Sequence, residues 1–203
     1  TYILAKRGGT DVCPNPLVGA VLVVDNQIIA EGWHEKFGGP HAEVNAIKQV
    51  KNKDLLKNST LYVSLEPCNH YGKTPPCTSL IIESEIPKVV IGSLDPNPLV
   101  SGKGVKKLQE SGIEVVINEN PEIFAQLNKH FFLNQTTNRP WITLKWAQSA
   151  DGFIGKMGEE IFISGSLSSI KTHHLRSKHH AIWVGTHTAI IDEPSLNCRN
   201  YPG

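Results

Sequence analysis

The chain turns on residues 38–77. They open Gly38-Gly39-Pro40-His41-Ala42-Glu43, pass through Leu61-Tyr62-Val63-Ser64-Leu65 and close Glu66-Pro67-Cys68-Asn69-His70-Tyr71-Gly72-Lys73-Thr74-Pro75-Pro76-Cys77. Pro40 suits the first position of a helix. A helix then runs from about His41 to Val50, with Val44, Ile47 and Val50 on one face. Leu61 to Leu65 reads as a short apolar strand that ends at Glu66-Pro67-Cys68, and Pro75-Pro76-Cys77 starts a second helix through about Ser84. An imidazole, a carboxylate and two thiols therefore stand at loop-to-helix junctions around one strand.

Working outward, Leu17 to Val24 is a near-continuous apolar run, as in a strand buried on both faces. Asp25-Asn26-Gln27 is a polar turn, and Ile28 to Trp33 returns as the second arm of a hairpin. Ahead of the hairpin, Cys13-Pro14-Asn15-Pro16 is stiff and extended. Asn52 to Ser59 reads as a polar loop. Beyond Ser84, Lys88 to Gly92 reads as a strand, Asp95-Pro96-Asn97-Pro98 as a turn-rich loop, and Val105 to Ser111 as a helix. Ile113 to Ile117 is a further strand, and Pro121 to about Asn134 a further helix. Strands alternating with helices imply a layered α/β domain whose sheet is parallel in part. Ligands in open sheets of this kind favour the carboxyl ends of strands. Glu66-Pro67-Cys68 and Asp95-Pro96-Asn97 each follow a strand and are expected on one rim.

The polar run ending in Arg139-Pro140 sets a domain boundary, giving a first domain over 1–138 and a second over 139–203. In the second, Trp141 to Trp146, Phe153-Ile154 and Ala181 to Gly185 read as strands. Ser164 to about Lys178 reads as a helix whose serine-rich start can cap it. His173-His174 and His179-His180 are expected on or beside its surface. These elements are too few to close a core alone.

Twenty basic residues nearly cancel nineteen acidic ones, leaving a formal charge of +1. No global field draws a nucleic-acid backbone or an anionic membrane, although a local basic pocket for one phosphate remains compatible. No apolar run reaches the ~20 residues of a membrane span, and no charged-then-apolar leader opens the sequence. Four cysteines in 203 residues do not make a disulfide framework. Thiolate ligands suit a reducing, cytoplasmic location. Homo-oligomerisation is left open.

Zinc that activates water takes three protein ligands and keeps a fourth position open. His41, Cys68 and Cys77 supply that count, and Glu43 is left as a proton carrier. The order is that of the H-x-E … P-C-x-x-C zinc deaminases, except that eight residues, not two, separate the cysteines. Zinc acidifies a bound water toward ~7, so hydroxide attack on a C–NH2 carbon is available at neutral pH. Each cysteine follows a proline near an expected helix start, where amide dipoles favour the thiolate. The competing reading is a closed structural zinc site with His70 as its fourth ligand.

At these residues the chain resembles the RibD/RibG family, the bifunctional deaminase–reductases of bacterial riboflavin biosynthesis. Asn15-Pro16-Leu17-Val18-Gly19, residues 95–104 from Asp95-Pro96-Asn97 to Gly104, and Arg139-Pro140 through Gly152 carry the resemblance further. It implies a cytidine deaminase-like three-layer α/β domain with a mixed sheet, followed by the start of a dihydrofolate reductase-like α/β domain. It also implies zinc-dependent deamination of 2,5-diamino-6-ribosylamino-4(3H)-pyrimidinone 5′-phosphate, with NADPH used by the reductase. The resemblance assigns His70 and Lys73 to this substrate. Lys73 suits a phosphate as a point charge and Thr74 as a hydroxyl donor. Asn15, Asp95 and Asn97 are expected to contact the ring or ribose. In the second domain, Arg176, Leu196 and Arg199 match substrate positions. Ala147, Thr188 and Asp192 match NADPH positions, and Phe162 stands where the family often has Trp. Glu160 replaces a commoner Ser. Deamination of another base, a nucleoside or tRNA is the enzymatic alternative.

Overall fold

Two apolar strands joined by a two-residue turn begin the sheet. β1 (Gly19–Val24) and β2 (Gln27–Trp33) pair antiparallel, and Asp25 and Asn26 between them both take positive φ, 47° and 59°. Paired positive φ is the turn that matches the twist of a tight hairpin, and Asp and Asn tolerate it. The computed structural model describes the chain except residues 73, 74, 99, 157, 158, 160, 202 and 203.

β3 (Thr60–Val63) lies antiparallel to β1, and β4 (Lys88–Ile91) and β5 (Glu114–Ile117) follow it in parallel. The sheet order is β2-β1-β3-β4-β5. α1 (Tyr2–Lys6), α2 (Ala42–Gln49), α3 (Cys77–Glu83) and α4 (Lys103–Glu110) accompany it, as do α5 (Glu122–Leu127) and α6 (Lys129–Thr137). The fold expected from the sequence, with a mixed sheet and helices between strands, is the fold observed. Leu22, Leu61, Val63, Val89 and Ile91 of the sheet pack with Ala46, Ile47, Ile81 and Leu108 of the helices in one buried core. α2 sits so close to β2 that a Cβ on Gly32 would overlap the carbonyl of Ala42 and lie 2.5 Å from the amide nitrogen of Ala46.

The topology concentrates chain ends at one rim. β3 and β4 run parallel, so their carboxyl ends coincide there. β1 runs against β3, which brings its start and the end of β2 to the same edge. Gly19 N–H donates to Ser64 Oγ at 3.0 Å, and Ser64 N–H donates to Gly19 O at 3.0 Å.

Two expectations for this region change. The single helix over 121–134 is two, broken at Asn128. Its side chain accepts from Leu17 N–H (2.8 Å) and donates to Leu17 O (2.9 Å). The loop over 52–59 contains a 3-10 turn, Lys53–Asn58, capped by the Asn52 side chain.

The chain divides into two units, Thr1–Trp141 and Ile142–Gly203. The second holds α7 (Ser166–Arg176) and α8 (Thr186–Ile191) and a lone bridge between Lys156 and Glu159. The strands expected at 141–146, 153–154 and 181–185 do not form among the described residues. Apolar runs become strands only when a neighbour takes up their backbone hydrogen bonds, and among the described residues no ladder partner stands beside them. Leu144 and Trp183 are exposed instead, at 77% and 98%. α7 is capped by Gly165 without a side-chain bond, not by a serine. His173 is buried rather than on the surface. No helix among the described residues is long and apolar enough to cross a membrane.

Candidate active site

Each group at the rim arrives on a different element. His41 is the N-cap of α2, and Glu43 lies in that helix's first turn, buried against the sheet. Cys77 is the first residue of α3 behind Pro76. Cys68 sits in the irregular segment after β3, not at a helix start. Its anion is supported by a neighbour's amide instead, since Cys77 N–H donates to Cys68 Sγ at 3.3 Å.

His41 Nδ1 stands 3.2 Å from Cys77 Sγ and 3.5 Å from Cys68 Sγ. The three donor atoms all lie within 4.8 Å of one another. Ligands of a tetrahedral zinc at usual bond lengths stand roughly 3.5 Å apart, so the donor set fits that ion. His70, the alternative fourth ligand, is exposed and does not join this group among the described residues. Glu43 Oε2 is buried and has no hydrogen-bond partner among the described residues. Orphaned carboxylate oxygens are rare in folded interiors and call for a group to meet them.

Burial pushes the Glu43 carboxyl up to about 7. The two thiols share their protons unequally. Donation from the Cys77 thiol lowers Cys68, and the same bond, with burial, raises Cys77. The bond to Cys68 raises His41. Burial also raises the Asp95 carboxyl and lowers the His34 ring from their ordinary values.

A cavity of about 320 Å³ opens beside these groups. Asn15, His70, Asp95 and Asn97 line it together with His41, Glu43 and Cys68. Lys73 and Thr74 lie outside the described residues. Two lining residues escaped the sequence reading. His34 is buried; its Nδ1–H donates to Pro40 O at 2.9 Å, and its Nε2 accepts from Asn15 Nδ2 at 3.0 Å. Glu66 is also buried, and its carboxylate faces backbone amides. Its place directly after a strand bound for the rim was the available signal.

Within the second unit, Arg176 and Leu196 line a cavity of about 340 Å³. Arg176 Nη1 donates to Asn197 O and Arg199 Nη1 to Asn197 Oδ1, so both guanidinium groups gather at residue 197. His173 Nδ1 accepts from the Arg199 amide at 3.1 Å. Ala147, Phe162, Thr188 and Asp192 do not line that cavity; Phe162 is 84% exposed, and Asp192 closes α8.

The mixed sheet and the His/Cys/Cys donor set with its adjoining carboxylate have the arrangement of a cytidine deaminase-type zinc site. Residues 2–93 match the cytidine and deoxycytidylate deaminase zinc-binding region, and residues 140–203 match the RibD C-terminal domain. The riboflavin biosynthesis protein RibD of Aquifex aeolicus is 48% identical over 200 residues, covering 98% of this chain and 56% of that protein. A solved structure of Acinetobacter baumannii RibD superposes with a TM-score of 0.89 at 44% identity, over 98% of this chain and 55% of that one. A Thermotoga maritima structure described as a diaminohydroxyphosphoribosylaminopyrimidine deaminase/5-amino-6-(5-phosphoribosylamino)uracil reductase gives 0.86 at 48% identity, over 98% and 57%. The chain belongs to the RibD family. It spans about half the length of the curated relatives it matches.

Proposed function

We propose that the chain carries out zinc-dependent hydrolytic deamination of 2,5-diamino-6-ribosylamino-4(3H)-pyrimidinone 5′-phosphate. The observation that carries this reading is the unpartnered Glu43 Oε2, buried beside three converging metal ligands. His41, Cys68 and Cys77 would hold the zinc, which when bound acidifies water toward ~7. Glu43 takes one proton from the attacking water and passes it to the ring nitrogen, then takes the remaining hydroxyl proton and passes it to the departing amine. A C–N bond breaks, a carbonyl forms, and ammonia leaves. Buried walls keep bulk water from the carboxylate, and Asn15, Asp95 and Asn97 hold the ring or ribose. His70 with Lys73 and Thr74 takes the phosphate side. The substrate is a small molecule, in keeping with a near-neutral chain that has no field for nucleic acid. Its thiolate ligands suit the cytoplasm.

Residues 1–138 constitute the deaminase domain in this reading, and 139–203 begin the reductase domain. The NADPH-dependent step belongs to the reductase half of the family. There Ala147, Phe162, Thr188 and Asp192 face the cofactor, and Arg176, Leu196 and Arg199 the substrate.

Glu43→Gln tests the reading. The variant keeps shape and metal ligands but cannot carry the proton. Zinc content measured by atomic absorption should stay unchanged, while ammonia release falls by roughly 10²–10⁴-fold. Retained activity would sink the assignment of Glu43 as proton carrier.

A further inference from the structure

One buried carboxylate has no part in the chemistry above. Glu66 is 4% exposed and stands two residues before Cys68. Its Oε1 accepts from Gly104 N–H at 2.9 Å and from Val105 N–H at 3.2 Å. Its Oε2 accepts from Gly102 N–H at 3.0 Å and from Asp95 N–H at 3.2 Å. Four amides thus converge on one side chain, from both ends of the segment between β4 and α4.

The local backbone is shaped around this group. Gly102 takes a φ of 75°, which favours glycine, and turns the chain into α4. A Cβ on Gly104 would overlap Pro67 O and sit 3.1 Å from Glu66 Oε1. A carboxylate at a helix start answers both the unpaired amides and the positive end of the helix dipole. Burying such a charge is tolerated where its oxygens are fully hydrogen-bonded. The α4 start is therefore filled from within the protein and is not vacant for a substrate phosphate. Asn69 adds a second tie, donating to Lys103 O at 3.4 Å and accepting from Thr78 Oγ1 at 3.0 Å.

The consequence falls on the substrate side. Asp95 and Asn97 line the cavity, and Asp95 Oδ1 accepts from Asn97 N–H at 2.8 Å. Their place is set by the amides that Glu66 holds. The same side chain is joined through Pro67 to Cys68. We propose that Glu66 is a positioning residue for the deaminase, locking the 95–105 segment to the metal-bearing segment so that Asp95 and Asn97 meet the substrate at a fixed distance from the metal ligands. The kinetic half of this proposal rests on the deaminase reading above; the structural half does not.

Glu66→Gln is the discriminating variant. Its amide is isosteric, but the NH2 group replaces one acceptor and faces a pair of N–H donors. Hydrogen exchange at Asp95, Gly102, Gly104 and Val105 should quicken while the amides of β1, β3 and β4 keep their protection. KM for the diaminopyrimidinone nucleotide should rise by about tenfold, the size expected for losing a bond to a charged group. Zinc content should be unchanged and kcat should change less than KM. Glu66→Asp keeps the charge with a shorter reach; it should give the same pattern at smaller size and serves if the glutamine variant does not fold. Unchanged exchange at the four amides overturns the lock whether or not the chain deaminates. Quickened exchange with an unmoved KM overturns the link to substrate. Loss of zinc in step with activity overturns it as well, because Glu66 would then be supporting Cys68 alone.

Discussion

His34 shows how a residue without a motif enters a site. Its two ring nitrogens are both engaged, one by the carbonyl just before His41 and the other by Asn15. Burial holds the ring below its ordinary pKa, which favours the neutral form that both bonds require. Asn15 is thereby aimed into the cavity by a residue nineteen positions away. Replacing His34 with alanine removes both bonds while His41, Cys68 and Cys77 themselves are retained. KM in an ammonia-release assay should rise by roughly fivefold, the worth of one ordinary hydrogen bond, with zinc content unchanged. An unaltered KM would remove Asn15 from the substrate contacts. The metal ligands and Glu43 were legible because their spacing is local and their residue types are chemically narrow. His34 and Glu66 were not, because their partners are backbone and amide groups brought close only by the sheet. Nothing near His34 announces it, and Glu66 offers only its place directly after a strand bound for the rim.

Elements place these side chains through close packing. α2 carries His41 and Glu43, and it reaches β2 only because position 32 lacks a side chain and positions 42 and 46 are small. Gly32→Ala would force the helix outward against the tight packing of an interior. The expected cost is about 1–3 kcal/mol, typical of overpacking, read as a lower midpoint in urea unfolding, and zinc should bind more weakly because His41 moves away from the cysteines. An unshifted midpoint with full zinc affinity would show that α2 has room to spare. Periodicity revealed the strands and helices around the core, since β1, β3, β4, α2, α3 and α4 are apolar on the face or faces they bury. It missed the break at Asn128, where the side chain of a helix-like run is taken by the Leu17 peptide 111 positions away. It also named strands at 141–146 and 181–185. Apolar alternation records the burial a segment needs, and that need is met only by neighbouring strands.

Across the whole chain, the two units differ in what they enclose. Every buried hydrophobic side chain among the described residues lies at or before Ile113, inside the first unit. The second has two helices, an exposed Trp183 and paired arginines at Asn197, without a sheet among its described residues. All the described residues that line the zinc-side cavity belong to Thr1–Trp141. NADPH needs a rigid surface to fix its ring against the substrate, and cofactor enzymes obtain that from a completed fold. Residues 142–203 bury too little apolar surface to offset the entropy of ordering such a surface. The purified 203-residue chain should therefore release ammonia from the diaminopyrimidinone nucleotide yet leave NADPH unconsumed when given 5-amino-6-(5-phosphoribosylamino)uracil. The first activity is followed by ammonia and the second by NADPH absorbance, so the two are read independently in one preparation. Measurable NADPH oxidation would mean that the arginine cluster and α8 already form a working reductase site. Absence of both activities, with zinc bound, would mean that the deaminase unit draws support from sequence beyond these residues.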